Sequence, residues 1–355
     1  MMATMDIPVT KVQKSRLPEV DFDNLPFGKV FTDHMLEADY ENGEWKNVQI
    51  KPYGPLTFTP AMAVLHYGQA IFEGIKAYKD AAGNAYIFRP YDNFKRFNVS
   101  AQRMQMPEVP EEIFVDGMTK LISLDKDWIP SKEDNALYIR PFMISTDELI
   151  GVRPSDKYKF LIILSPSGPY YNAPMRLMVE EKYVRAAEGG AGYAKAAGNY
   201  GAAMFPTAQA KMGGYDQVLW TDATEHKYVQ ECGTMNVFFI IGDTAITPDL
   251  SQGTILAGVT RMSVITLLKD MGLKVEERPL GIDEIVAAYK EGQLKEIFGT
   301  GTAATISYVQ ELKYNDVEMK FATDSWKTAA KVKERLTDIR VARAEDVYNW
   351  MYPVK

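Results

Sequence analysis

Lys195 is the first residue whose surroundings suggest chemistry. It lies within residues 192–203 (GYAKAAGNYGAA), where alanine and glycine leave no bulky side chain to shield its amine. A lysine amine in a small, partly apolar pocket has a lowered pKa and can act as a nucleophile. An ordinary surface lysine on a loop is the alternative, because most lysines in proteins are exposed to solvent.

Three further segments of the second half offer groups that suit an anionic, heterocyclic cofactor. Residues 258–273 (GVTRMSVITLLKDMGL) open a helix, and the free amides at a helix start bind phosphate. Residues 298–307 (FGTGTAATIS) join glycines to threonine hydroxyls after a strand, which suits an anion-binding loop or a plain tight turn. Glu231 ends a predicted strand and either holds a protonated ring nitrogen or is an ordinary strand-end glutamate.

Three arginines of the first half stand out by their positions. Arg96 and Arg103 are seven residues apart in DNFKRFNVSAQRM and share one face of the helix that this segment predicts. Tyr138 and Arg140 are two residues apart in a predicted strand, so they share one face of that strand. An arginine inside an apolar strand is costly unless it has a partner, which makes Arg140 a stronger candidate than most arginines.

Composition excludes several classes of site and partner. The 355 residues include one cysteine and three histidines, which argues against a disulfide framework, a Cys-rich zinc module and a His-based metal site or triad, so no metal is expected. The net charge of -7 argues against nucleic-acid binding through a basic surface. No apolar run approaches the roughly 18 residues of a membrane helix, and no signal-peptide core is visible, so a cytoplasmic protein without membrane contact is expected.

The elements that must position these residues predict an α/β protein. Helices are expected over residues 61–78, 92–104, 111–128, 260–273, 282–292 and 324–337. Strands are expected over residues 136–144, 158–164, 176–184, 217–222, 227–231 and 237–248. Asp92 is the expected N-cap of the second helix. The apolar face expected for the third helix consists of Ile113, Phe114, Met118, Leu121 and Ile122.

A change in amino-acid composition predicts where one domain ends. Residues 166–175 are rich in Pro, Gly and Ser, which is typical of a loop between domains. We therefore expect a small N-terminal α/β domain over residues 1–165 and a larger one over residues 176–355. Ligands favour domain interfaces, so the cleft beside this loop is the expected site.

Seven motifs make the chain resemble the branched-chain amino-acid aminotransferases over nearly its whole length. In order they are LHYGQAIFEGIKAY, FRPYDNFKRF, YIRPFMI, AKAAGNYGA, QECGTMN, GTILAGVTRMS and FGTGTA. The resemblance implies a fold type IV enzyme with pyridoxal 5′-phosphate held by the larger domain. It also implies reversible amino transfer between L-leucine, L-isoleucine or L-valine and 2-oxoglutarate, giving branched 2-oxo acids and L-glutamate.

The resemblance implies a role for each matching cofactor residue. Lys195 is the catalytic residue, which forms a Schiff base with the cofactor and moves the substrate's α-proton. Glu231 binds the pyridine nitrogen and Tyr200 the phenolic oxygen, while Thr234 lies near the site. The residues implied to bind the phosphate are Arg96, Val259, Thr260 and Thr302.

It implies a substrate site and a partner subunit as well. The α-carboxylate is surrounded by Tyr138, Arg140 and the amides of Thr302 and Ala303. Aromatic residues that are otherwise typical of a core form the apolar wall of the pocket, and these are Phe27, Tyr67, Phe72 and Tyr170. Val152 resembles a residue lent by a second subunit, so a homodimer is expected.

Two alternatives stay open at this point. One is another fold type IV enzyme, such as a D-amino-acid aminotransferase or an aminodeoxychorismate lyase, which shares the lysine and glutamate but differs in the first-half motifs. The other is an α/β binding protein without catalysis, which predicts no bound chromophore. Some family members carry a redox-sensitive CxxC after the phosphate loop, and the matching residues 304–307 (ATIS) contain no cysteine here.

Overall fold

The structure, a computed structural model, describes residues 5–170 and 173–354. The chain divides into two compact units. The first takes in residues 5–169, 194–197 and 337–354, and the second takes in residues 170, 173–193 and 198–336. None of the described helices is long and apolar enough to span a membrane.

Runs of strands are separated by single helices or pairs of helices along the described chain. The strands are β1 (His34–Glu41), β2 (Glu44–Pro52), β3 (Ala70–Phe72), β4 (Ile75–Lys79), β5 (Ala85–Phe88), β6 (Ala136–Ser145), β7 (Tyr158–Ser167), β8 (Met175–Val179), β9 (Gln217–Thr221), β10 (Val229–Cys232), β11 (Asn236–Ile241), β12 (Thr244–Thr247), β13 (Lys274–Glu277), β14 (Leu294–Gly301), β15 (Thr305–Tyr314), β16 (Val317–Lys320) and β17 (Met351–Val354). The helices are α1 (Val64–Tyr67), α2 (Pro90–Arg103), α3 (Gly117–Leu124), α4 (Ala197–Ala202), α5 (Met204–Met212), α6 (Val259–Asp270), α7 (Ile282–Lys290) and α8 (Thr328–Arg340). A π-helical segment, Glu112–Asp116, leads directly into α3.

The first unit is built on an antiparallel sheet of eight described strands in the order β17-β5-β4-β6-β7-β1-β2, with β3 also paired to β6. Helices α2 and α3 pack their apolar faces into its core. The five residues predicted for the face of the third helix are all fully buried, so that prediction is confirmed: Ile113, Phe114, Met118, Leu121 and Ile122. Each side chain of this size contributes about 1.5–3 kcal/mol by its burial.

The second unit contains a mixed sheet of nine described strands in the order β10-β9-β8-β15-β14-β11-β12-β13, with β16 beside β15. Strand β8 runs parallel to both of its neighbours, and β12 runs parallel to β13. Its core is lined by the inward residues of these strands and by α7. The start of α8 is fixed by Glu296, whose carboxylate accepts the backbone N–H groups of Lys327, Thr328 and Ala329.

The prediction of one helix over residues 61–78 is wrong. Only α1 is helical there, and Gly68 ends it in the left-handed conformation with φ 63°. Strands β3 and β4 follow, with Ile71, Ile75 and Ala77 buried in the core. Four of the five β4 residues are buried and the strand pairs with β5 and β6, so its burial does not follow the spacing of one helical face.

The boundaries of helices α2 and α8 also differ from expectation. Helix α2 begins at Pro90, whose fixed φ suits the first helical turn, and Arg89 precedes it. Asp92 is therefore not the N-cap, and its carboxylate accepts a 2.7 Å hydrogen bond from Arg89 Nε. Helix α8 occupies Thr328–Arg340 instead of residues 324–337.

The expected loop between domains and the last strand also need correction. Strand β7 continues to Ser167, because its pairing with β6 extends to the Ala136–Ser167 pair. Residues 171 and 172 of the expected loop lie outside the described part of the chain. Strand β17 pairs with β5 of the first sheet, although the sequence assigned residues 176–355 to the second domain.

Candidate active site

Arg140 extends from β6 to two aromatic rings. Its Cζ lies 4.6 Å from the centroid of the Phe72 ring and 5.2 Å from that of Tyr138. Its Nη2 donates a 2.8 Å hydrogen bond to the Tyr138 hydroxyl, so the two side chains share one face of the strand. Its Nε is buried without an acceptor, and within the described chain no carboxylate lies within 4.0 Å of the guanidinium. Such a cation is suited to binding a carboxylate ligand.

Lys195 is held through both sides of its backbone. Its N–H donates a 2.9 Å hydrogen bond to Ser100 Oγ, and its carbonyl accepts a 3.1 Å bond from the Phe72 N–H. Ala196 forms an antiparallel bridge with Ile71, so residues 194–197 continue the sheet at β3. The Nζ of this half-buried residue lies 4.8 Å from the centroid of the Phe72 ring. One ring therefore contacts both the Lys195 amine and the Arg140 guanidinium.

Tyr138 is fixed in turn by two neighbours. The Phe27 ring meets it edge-on, with centroids 4.9 Å apart. Gly74 leaves room for the Tyr138 hydroxyl, since a Cβ at that position would collide with it. The first unit thus brings together four of the predicted substrate residues with Lys195, namely Phe27, Phe72, Tyr138 and Arg140.

Arg96 is buried and paired with Glu73. Its Nε and Nη2 donate hydrogen bonds of 2.7 and 2.8 Å to the two carboxylate oxygens. Sequence reasoning selected Arg96 and missed Glu73. The sequence does indicate that Glu73 has a partner, because it is a carboxylate among the apolar residues of FEGIKAY, and a buried charge requires one. Two of the three guanidinium nitrogens therefore face Glu73.

Two other predicted residues of the first unit are exposed. Tyr67 is at the end of α1, and Val152 is 91% exposed at the tip of a loop. Arg153 braces that loop through ion pairs of 3.0 Å to Asp147 and 2.8 Å to Asp156. No described hydrogen bond, ion pair or ring contact joins Tyr67 or Val152 to the residues around Lys195.

In the second unit, Glu231 presents a buried carboxylate near the end of β10. Its Oε2 lies 2.7 Å from Arg185 Nε, and both side chains are almost fully buried. Its Oε1 accepts hydrogen bonds from the Leu256 N–H at 2.9 Å and from Asn236 Nδ2 at 3.3 Å. Arg185 Nη1 also donates a 2.9 Å hydrogen bond to the carbonyl of Thr254. The pair compensates charges that burial would otherwise make costly. Sequence reasoning missed Arg185, because its partner is far along the chain.

Helix α6 starts beside this carboxylate. Asn236 Nδ2 also donates a 2.9 Å hydrogen bond to the Leu256 carbonyl, just before the helix. Gly258 is required at the N-cap, because a Cβ there would collide with the Asn236 amide. No side chain caps the helix, so the first amides, those of Val259 and Thr260, point toward a position that favours an anion.

The loop predicted from FGTGTA is shorter than expected. Strand β14 continues to Gly301, and residues 302–304 form the turn into β15, with Thr302 and Ala303 half-buried. Asn236 pairs with Thr300 across β11 and β14, which brings the end of β14 beside the Glu231 network. The Thr300 hydroxyl is buried without a hydrogen-bond partner.

The remaining predicted residues of the second unit are more exposed. Thr234 is exposed in the turn after β10, and Tyr200 is half-buried in α4. Tyr170 is 43% exposed.

Cys232 is buried next to Glu231, and burial raises the pKa of its thiol, which removes it as a nucleophile at neutral pH. The described residues contain no group of three or more His, Cys, Asp or Glu side chains arranged for a metal.

The family model and the individual relatives that match this chain are all aminotransferases. The family model described as amino-transferase class IV matches residues 70–312. A probable branched-chain-amino-acid aminotransferase of Staphylococcus epidermidis is 47% identical over 340 residues, covering 94% of each chain. Branched-chain-amino-acid transaminase 1 of Bacillus subtilis is 46% identical, covering 94% of this chain and 95% of its own.

A solved structure extends the similarity to three dimensions. It is the branched-chain amino acid aminotransferase of Thermobaculum terrenum in its PLP-form, the holo-form. The alignment covers 91% of this chain and 98% of that one, with a TM-score of 0.72 and 23% sequence identity. This likeness shows that the two chains share a fold.

Proposed function

Because the chain belongs to the class IV aminotransferases, and among them to the branched-chain aminotransferases, we propose that it transfers the amino group of L-leucine, L-isoleucine or L-valine to 2-oxoglutarate. The products are the branched 2-oxo acids and L-glutamate. One observation carries this proposal: the Arg140 guanidinium has no described carboxylate partner and shares the Phe72 ring with the Lys195 amine. A carboxylate-binding charge thus lies near an amine, as amino-acid chemistry requires.

We infer that pyridoxal 5′-phosphate is the cofactor, because groups of the second unit fit its parts. Three of the roughly four acceptor positions of the Glu231 carboxylate are used, so one is left for a ring N–H. The uncapped start of α6 and the buried Thr300 hydroxyl suit a phosphate. When bound, this cofactor supplies an aldehyde that bonds amines and a ring that accepts the electrons released at the substrate's Cα.

The residues around the cofactor would then divide the work. Glu231 would hold the proton on the ring nitrogen, and Tyr200 would contact the phenolic oxygen, with Thr234 nearby. Arg96 would share its guanidinium between Glu73 and the phosphate. The other residues proposed to bind the phosphate are Val259, Thr260 and Thr302.

Lys195 would act through Nζ in two ways. In the resting enzyme it would bond the cofactor's aldehyde. As a free amine, Nζ would accept the proton from the substrate's Cα and would donate it to the carbon of the cofactor that had been the aldehyde carbon. Ser100 and Phe72 hold its backbone, so the amine moves from a fixed base.

The substrate would be held by its carboxylate and its side chain. Tyr138 and Arg140, with the amides of Thr302 and Ala303, would surround the α-carboxylate, and the Arg140 guanidinium would also bind the second carboxylate of L-glutamate or 2-oxoglutarate. An apolar wall would contact the branched side chain, and its proposed members are Phe27, Tyr67, Phe72 and Tyr170. Aromatic surface of this kind favours leucine, isoleucine and valine over polar side chains.

We also propose a homodimer in the cytoplasm. The loop at residues 149–152 exposes Leu149, Ile150 and Val152, and apolar side chains grouped in this way are typical of a surface covered by a partner. Val152 would then complete the partner's pocket. Fractionation of cell extract, followed by detection of the protein in the soluble fraction, tests the location.

The proposed function is tested by the rates with different amino donors. With 2-oxoglutarate as acceptor, L-leucine, L-isoleucine and L-valine should react well, while D-alanine should not. Lys195→Ala should abolish the reaction and the visible absorption of the bound cofactor. D-Alanine as the best donor would identify a different fold type IV enzyme, and a protein without a chromophore would exclude pyridoxal-phosphate catalysis.

A further inference from the structure

We propose that Phe72 determines whether the enzyme accepts substrates with a second carboxylate, because its ring holds the Arg140 guanidinium in place. The inference rests on the proposed amino transfer between branched-chain amino acids and 2-oxoglutarate. It assigns to that site a positioning residue for one of its two substrate classes, the five-carbon dicarboxylates. Phe72 thereby has a role beyond that of an apolar wall.

The contacts of Arg140 are unusual for a half-buried arginine. A guanidinium in this setting is normally held by a carboxylate, and the described residues provide none within 4.0 Å. Its position is set instead by the Phe72 ring at 4.6 Å, the Tyr138 ring at 5.2 Å and one hydrogen bond to the Tyr138 hydroxyl. These contacts position the group and leave its charge for a ligand.

Phe72 can fix another side chain because its own backbone is fixed. It pairs with Phe142 across β3 and β6, and its N–H donates to the Lys195 carbonyl. Arg140 is two residues before Phe142, so both point to the same face of β6. A side chain two positions from the cross-strand partner is within reach of an aromatic ring. The contact is therefore built into the register of these two strands.

The two substrate classes need different properties of this ring. The leucine side chain needs apolar surface, which leucine at position 72 would still supply. The second carboxylate of L-glutamate needs a fixed guanidinium, and a leucine side chain has no π face to hold one. Phe72→Leu therefore separates the two properties, and Phe72→Tyr restores the ring.

The cleanest measurement is the half-reaction with each amino acid alone, which is monitored through the absorbance of the bound cofactor. Phe72→Leu should lower the second-order rate constant for L-glutamate about tenfold more than that for L-leucine, chiefly through weaker binding. Phe72→Tyr should return the ratio of the two constants to within about threefold of the wild-type ratio. Equal losses with both amino acids, or a tyrosine variant that behaves like the leucine variant, would overturn the inference.

A second variant covers the possibility that Phe72→Leu does not fold, which its thermal midpoint would reveal. Phe72→Met keeps a long apolar side chain at this position and, like Phe72→Leu, removes the π face that contacts the Arg140 guanidinium. The ratio of the glutamate to the leucine constant should fall in this variant too, and an unchanged ratio would contradict the inference. Failure of the proposed function looks different, since wild-type protein would then react with neither amino acid.

Discussion

The charges of the candidate site are compensated in two ways, by ion pairs and by aromatic rings. Arg96 is paired with Glu73, and Glu231 with Arg185, whereas Arg140 is held by aromatic rings. Removing one partner of a buried ion pair typically costs about 3–5 kcal/mol, because it leaves the other charge unpaired. The two pairs therefore make those positions rigid, and Arg140 retains a charge that a ligand can use.

Lys76 is the residue from which we expect a pH-dependent stability. It is buried in β4, where burial and the nearby Arg340 guanidinium lower its pKa to about 7, while Asp134 acts in the opposite direction. The unfolded chain keeps the ordinary pKa of 10.5 and binds more protons than the folded chain between these two values. The free energy of unfolding should therefore rise with pH across that window.

Urea unfolding of the wild type and of Lys76→Met at several pH values from neutral to alkaline tests this expectation. The wild type should gain on the order of a few kcal/mol relative to the variant as pH rises, because one pKa unit corresponds to about 1.4 kcal/mol. The variant has no amine at this position and should lack that component. Parallel curves for the two proteins would show that the pKa of Lys76 does not differ between the folded and unfolded states.

At the scale of elements, α2 positions two functional groups at once. Ser100 Oγ donates a 3.0 Å hydrogen bond to the Arg96 carbonyl one turn earlier and accepts the Lys195 N–H. The helix is thereby connected to the segment that carries the amine. A reactive amine is effective only when its base is held in place.

Ser100→Ala should therefore slow the half-reaction with L-leucine while it leaves the fold intact. We expect a rate about tenfold lower and a loss of about 1 kcal/mol in stability, the usual contribution of one hydrogen bond. The matched control is Thr119→Ala, which removes a similar bond, from Thr119 Oγ1 to the Val115 carbonyl, at α3. If both variants keep the wild-type rate, Ser100 has no positioning role.

The elements that sequence predicted best are those whose pattern is decided locally. Strands β6 and β7 and the buried face of α3 follow directly from apolar runs and helical spacing. The segment over residues 61–78 was mistaken for a helix because it is rich in helix formers. Pairing of both β3 and β4 with β6 decides its structure, and β6 is distant in sequence.

At the scale of the whole molecule, the α/β class and the family were both predictable from sequence, and the relatives confirm them. Motif order carried that prediction. The networks that support the motifs were not predictable, because Glu73, Arg185 and Ser100 gain meaning only from partners that folding brings near. A charged residue between apolar neighbours shows that a partner exists and does not identify it.

The proposed dimer leads to a prediction about Val152. Val152→Asp places a charge on the exposed loop, so it should shift the protein from dimer to monomer and lower its activity. Size-exclusion chromatography with light scattering measures the mass. Val347 is 64% exposed elsewhere in the first unit, and Val347→Asp should leave the mass unchanged. A wild-type protein that is already monomeric would refute the proposed dimer.

Residues 194–197 group with the first unit, although the chain before and after them groups with the second. The amine proposed to do the chemistry is thus carried by a four-residue segment that hydrogen-bonds to Ser100 and pairs with β3. A chimera of two relatives joined at residue 169 would take β3 and α2 from one parent and residues 194–197 from the other. The lysine segment would then be separated from the strand and helix of its own parent. Active chimeras should therefore need residues 194–197, β3 and α2 to come from the same parent, although residues 194–197 lie beyond the exchange point in the sequence.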